Sequence, residues 1–202
     1  MKLLESKCEV LNSVNFPVFM GERHYMIKFF KDQGLPDFIS RFQDTVDGML
    51  LSIDTKIDGI DQPIFITIDE KLIKKGSTHR RGGVHIDGYW IEELQAHGGG
   101  HRMSASGLDT GGGINWKTGC DFSTPESIVL ASSVAASKGW LGEYENNVGE
   151  GGDCTHLDLS KMETFILQPN ITYRGNVAFL HESIPVEYDT ERTLIRLNIK
   201  NC

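Results

Sequence analysis

Residues 37–52 carry Phe38, Ile39, Phe42, Val46, Met49 and Leu50 at helical spacing, which predicts an amphipathic helix with one apolar stripe. Asp37 follows Pro36 and is the expected N-cap. A second, shorter helix is expected over 22–33. Beyond residue 60 the period changes. Pro63–Asp69 is rich in β-branched and aromatic residues and predicts a strand. Further strands are expected over Val84–Trp90, Ser127–Ser137, Gly139–Glu145, Glu163–Leu167, Asn176–His181 and Thr190–Ile199, each bounded by turn residues. Short strands at this spacing point to a sandwich or barrel.

Composition sharpens this picture in the middle third. Of the 22 glycines, those from Gly76 to Gly152 form the dense group, and only Gly175 follows it. Glycine inside a helix costs about 1 kcal/mol relative to alanine, so an all-helical bundle is excluded. The stretch 97–119, with the triplets Gly98–Gly100 and Gly111–Gly113, is expected to be a mobile loop beside a site. The chain has 202 residues and a formal net charge of −8. That length fits one domain, here read as a helical extension over 1–60 and a β core over 61–202. The acidic balance argues against a duplex nucleic-acid partner, which calls for a basic footprint. A local basic run, Lys71, Lys74, Lys75, Arg80 and Arg81, reads either as a solvated turn or as a contact for an anionic substrate at the site mouth. Cys8, Cys120, Cys154 and Cys202 are widely spaced and read as free thiols of a reducing cytoplasm. No apolar run reaches the roughly 20 residues of a membrane span, and the first ten residues have no signal-peptide core.

Three arrangements of histidine bear on chemistry. His97 and His101 flank three glycines, so they cannot share a stable helix face and read as loop residues. His156-Leu-Asp158 lies too close to His181 for several strands to intervene, and reads as a surface turn or strand end. His85-Ile-Asp87 is different. Positions i and i+2 of a strand share a face, so one strand presents an imidazole and a carboxylate together, and His181 follows at a distance that leaves room for a barrel to wrap round. Two histidines and one carboxylate on one side of a metal form the facial triad of non-haem Fe(II) oxygenases. Arg192 and Arg196 share a face on the last strand. An inward Arg192 without a partner would be costly, and a dianionic co-substrate would supply a carboxylate for bidentate binding; a surface position or a pairing with Glu143 is the competing reading.

The run from His181 through Pro185 and Val186 to Arg192 and Arg196, together with His85 and Asp87, resembles the 2-oxoglutarate/Fe(II)-dependent dioxygenases, in particular their prolyl-hydroxylase-like branch. The resemblance spans about residues 63–198. It implies a double-stranded β-helix (a jelly roll, cupin-like) with N-terminal helices packed on one sheet. It implies Fe(II) held by His85, Asp87 and His181, and 2-oxoglutarate held by Arg192, with Arg196 and Tyr144 as further co-substrate contacts and Tyr173 as an alternative to Tyr144. It also implies O2 as oxidant, stimulation by ascorbate, and hydroxylation of a peptide, amino acid or other small molecule with release of succinate and CO2. Asp87 favours hydroxylation over halogenation, because related halogenases lack the carboxylate. Leu194 departs from the family, which often has a small or hydroxylated residue there. Two other readings fit a β barrel: a cupin-like metal enzyme that does not use 2-oxoglutarate, and a non-enzymatic jelly-roll binding or structural module.

Overall fold

A computed structural model describes residues 3–51, 53, 63–87, 89–91, 96–98, 126–149 and 152–200. The architecture is mainly β and antiparallel. Twelve strands occur among the described residues: β1 (Leu3–Ser6), β2 (Cys8–Ser13), β3 (Arg23–Phe29), β4 (Ile64–Ile73), β5 (Tyr89–Ile91), β6 (Ala96–Gly98), β7 (Glu126–Ser132), β8 (Ser137–Glu145), β9 (Glu163–Ile166), β10 (Ile171–Asn176), β11 (Leu180–Ser183) and β12 (Thr190–Lys200). The helical part is a 3-10 segment, Asp37–Phe42, that runs into α1 (Gln43–Leu51).

A six-stranded sheet has the order β2-β10-β7-β12-β4-β3. Its long ladder is β12 on β4, where Arg196 faces Thr67, Leu194 faces Asp69 and Ile199 faces Ile64. A smaller sheet has β8 paired with β1, β11 and β9. Strand alternation sends Ile64, Ile66 and Ile68 of β4, Val129 and Ala131 of β7, and Ile195, Leu197 and Ile199 of β12 to one side, where they meet Ile39, Phe42, Val46, Met49 and Leu50 of the helical segment. Burial of such side chains stabilises by about 1.5–3 kcal/mol each. The other side of the large sheet packs Ile128, Leu130 and Tyr173 against Leu141, Phe165, Leu167 and Phe179, which come from or adjoin the small sheet. The two sheets thus enclose an interior. A separate cluster of Leu4, Ile86, Trp140, Tyr144, Cys154 and Leu180 covers the far side of the small sheet. No helix of the described residues is long and apolar enough to cross a membrane.

Several expectations are corrected here. Residues 22–33 are not helical: Arg23–Phe29 is β3, an edge strand on β4. A bulge between His24 and Ile27, with Met26 at φ 51°, breaks the alternation, so the strand period is hidden in the sequence. Among the described residues the N-terminal region is therefore strands plus one helical segment, not a set of helices. That segment begins as a 3-10 turn with no side-chain cap from Asp37, and Phe38 of the expected stripe is 60% exposed. The run Ser127–Ser137 is two strands joined by a corner at residues 133–136. Asn176–His181 is broken by a turn at Val177–Ala178. Val84–Trp90 is likewise broken, with His85 making isolated bridges and Tyr89–Ile91 a separate strand. Apart from the backbone of residues 97 and 98 in β6, the glycine-rich stretch 97–119, with the side chain of His97 and all of His101, lies outside the described residues.

Candidate metal centre

The segment carrying His85 and Asp87 is held from both sides. His85 exchanges two backbone hydrogen bonds with His181, each 3.0 Å, while Ile86 N–H donates to Gly152 O at 3.0 Å and Cys154 N–H to Val84 O at 2.9 Å. Gly152 is required at that point. Its φ is +78°, and a Cβ would lie 2.3 Å from the carbonyl oxygen of Ile86, so any side chain would push the segment away. Ile86 points into the outer cluster, and its neighbours His85 and Asp87 turn inward. On β11, Leu180 joins that same outer cluster while His181 stacks on Phe179 at 5.4 Å, so it also turns inward.

His85, Asp87 and His181 bring one ligating atom each to within 4.8 Å of one another. Their protonation follows from their partners. His85 Nδ1 lies 2.8 Å from Gly83 O and His181 Nδ1 lies 3.1 Å from Phe179 O. A carbonyl only accepts, so in each ring Nδ1 carries the proton. That leaves Nε2 as the atom each ring can offer to a metal. Burial, followed by the nearby His181, pulls the His85 imidazole down to about 3, so it is neutral at physiological pH. Burial alone would raise Asp87; the Arg196 charge and the two imidazoles outweigh it and hold the carboxyl well below the usual range. Asp87 Oδ2 lies 3.3 Å from His181 Nε2. Two imidazoles and a carboxylate therefore converge, a set that fits a divalent first-row metal.

Arg196 and Arg192 project from the same face of β12 into the interior. Arg196 donates to Asp87 Oδ1 at 2.7 Å, leaving Oδ2 toward the histidines, and it touches Met26 Sδ at 3.7 Å. It thereby orients the Asp87 carboxylate. Arg192 lies roughly 13 Å further along the strand, at about 3.3 Å per residue. It is fully buried. Its guanidinium donates to Ser132 Oγ at 2.8 Å, Ala136 O at 3.3 Å and Ser137 Oγ at 2.8 Å. Among the described residues no carboxylate lies within ion-pair distance of it. Burial pulls it down to about 10, which leaves it charged.

Tyr144 sits on the far side of the small sheet and donates its hydroxyl to Ala178 O at 2.9 Å, so the structure does not bring it to the triad. Tyr173 packs in the interior and accepts from Gln168 N–H at 2.8 Å. His156 and Asp158 lie in an exposed turn, with His156 Nε2 2.6 Å from Asn147 O. Of the basic run, Lys74 pairs with Asp189 at the surface; Arg80 turns inward to Asp69. Asp69 is fully buried on the same face as the arginines and had no place in the sequence reading. Its signal was parity: Asp69 shares the inward face of β4 with Phe65 and Thr67, opposite Ile64, Ile66 and Ile68.

No family model matches the sequence, and no relative is found among the curated proteins. Among solved structures the chain is similar to a non-heme monooxygenase, ThoJ in its apo form, with a TM-score of 0.44 and 11% identity over 83% of this chain. The chain spans 59% of that protein's length.

Proposed function

We propose that the protein is an Fe(II)- and 2-oxoglutarate-dependent dioxygenase that hydroxylates an unactivated C–H bond of a peptide, amino acid or other small molecule. The two sheets, on this reading, are the halves of a double-stranded β-helix. The observation that carries it is the convergence of His85, Asp87 and His181, whose ligating atoms all lie within 4.8 Å of one another. Iron in that place would supply the oxidative chemistry. The residues do the rest: both Nδ1–H groups lock the rings, and Arg196 keeps Asp87 turned so that one oxygen is available.

Arg192 supports the co-substrate. A fully buried guanidinium with only neutral acceptors around it favours an anionic ligand. The hydroxyls of Ser132 and Ser137 can turn to donate to that anion as well. A keto acid with its far carboxylate on Arg192 would extend toward the triad along the inward face of β12.

Anaerobic addition of Fe(II) and then 2-oxoglutarate should produce a weak visible charge-transfer band. Arg192→Ala should raise the 2-oxoglutarate concentration needed for that band by about tenfold or more, as expected for loss of a charge-assisted bidentate contact. A protein that binds neither component counts decisively against this function.

A further inference from the structure

Asp69 gathers more positive charge than one carboxylate can neutralise. Its oxygens accept from Arg23 Nε at 2.8 Å, from Tyr25 Oη at 3.2 Å and from Arg80 at 3.1 Å, and His79 Nε2 lies 3.2 Å away. Arg23 comes from β3 and Arg80 from the loop that leads to His85, so two separate segments meet on one buried anion. Both guanidinium carbons lie over the Tyr25 ring, at 5.4 and 5.7 Å from its centre. The Arg23 side chain is 52% exposed and that of Arg80 23%. Each therefore keeps donors directed away from Asp69.

This clamp adjoins the metal centre. Asp69 faces Leu194 in the β4–β12 ladder, midway between Arg192 and Arg196. The β3 bulge sets Tyr25 on Asp69 and, one residue later, Met26 on Arg196. A bulge of this kind re-aims side chains beside a site. The charge count is also unbalanced. Among the described residues, four guanidiniums face two carboxylates on this side of the sheet. A divalent metal and a dianionic co-substrate cancel each other and leave the excess of two positive charges unchanged.

We infer that Arg23 and Arg80, braced by Asp69 and Tyr25, form the substrate subsite, and that the substrate carries an oxyanion, a carboxylate or a phosphate, close to the carbon that reacts. This rests on the function proposed above and narrows its substrate class. Arg80 supplies the more enclosed contact and Arg23 the outer one.

The full chain, in excess over Mn(II) and saturated with 2-oxoglutarate, is titrated with acetate, inorganic phosphate and acetamide, and nuclear relaxation of each probe by the bound metal is measured. Acetate or phosphate should be relaxed saturably, and more strongly than acetamide by about tenfold, the factor that one charge-assisted contact gives. Stronger relaxation of acetate assigns a carboxylate substrate; stronger relaxation of phosphate assigns a phosphorylated one. Arg80→Gln should cut the effect by about fivefold, with Arg80→Lys retaining part of it. Water relaxation, which reports Mn(II) binding, should be unchanged in both. Acetamide relaxed as strongly as acetate by the unmodified protein overturns the subsite, whatever the variants do. Mn(II) that stays free in the presence of excess protein overturns the metal centre instead.

Discussion

On β12, Ile195, Leu197 and Ile199 turn toward the helical segment, while Arg192, Arg196 and Asn198 turn into the space between the sheets. β4 repeats the division, with Ile64, Ile66 and Ile68 on one side and Thr67 and Asp69 on the other. The first face is complete as it stands, with apolar side chains closely packed. Among the described residues, the second holds a guanidinium without a carboxylate and an Asn198 amide without any partner. Each unmet polar group costs about 1–3 kcal/mol. The same strands therefore do two jobs by parity: one face generates stability, and the other spends part of it holding polar groups ready for ligands.

The division is most directly tested by damaging the apolar face. Phe42 is fully buried against the sheet. Phe42→Ala should lower the unfolding free energy by about 3–5 kcal/mol, read by urea denaturation. The Mn(II) affinity of the molecules that remain folded should not change. An affinity that falls in proportion to stability would show that the two faces are not separable.

On the polar face, Asp69→Asn should cost about 2 kcal/mol, less than a fully enclosed ion pair would, because Arg23 and Arg80 both reach water. Burial pushes Asp69 up, but His79, Arg23 and Arg80 prevail and its pKa is lowered. A carboxyl depressed in the folded state stabilises above its unfolded pKa of about 3.9 and loses that contribution as the pH falls through the folded value. The gap between variant and parent should therefore narrow below about pH 4. A gap that stays constant through acid would mean that the charge of Asp69 does not matter.

The effect of His85 is graded, spread over the pH axis. Its pKa is lowered to about 3 from an unfolded value near 6.5. Between these values the unfolded chain binds the proton and the folded one does not, so stability falls as the pH is lowered through this window. The slope for a single site approaches about 1.4 kcal/mol per pH unit. His85→Asn should flatten the metal-free stability profile between about pH 3 and 6.5. An unaltered profile would mean that His85 is not held neutral.

The sequence exposed the apolar face and the triad for the same reason: both depend on short, regular spacing. The stripe Ile39, Phe42, Val46, Met49 and Leu50 is legible at helical period, and His85 and Asp87 at strand period. Features built by irregularity were not legible. β3 looked helical because its bulge at Tyr25 and Met26 interrupts the alternation. Ser132, Ala136 and Ser137, which surround Arg192, sat inside an apparent continuous strand that in fact turns a corner. Tyr144 looked suitable for a co-substrate because a tyrosine's partner cannot be read from its neighbours in sequence; here it is the Ala178 carbonyl. Arg23, Tyr25 and Arg80 come together only through Asp69, and that assembly is set by sheet register rather than by motif.

The gentlest test concerns Asn198. Its side chain is 2% exposed, and among the described residues both its amide oxygen and nitrogen lack hydrogen-bonding partners. It lies two residues beyond Arg196 on the same face of β12, opposite Phe65 and Ile128. A buried amide in that state is a net cost to the folded chain. Leucine has nearly the same shape and needs no partner. Asn198→Leu should therefore raise the unfolding free energy by about 1 kcal/mol, seen as a higher urea midpoint with an unchanged slope. Should the substitution instead lower stability by a similar amount, the amide must be satisfied in solution, by an ordered water for example, and the polar face would be less costly than the contrast with the apolar face implies. A gain in stability accompanied by a loss of turnover would place Asn198 among the groups kept polar for a ligand at the expense of the fold.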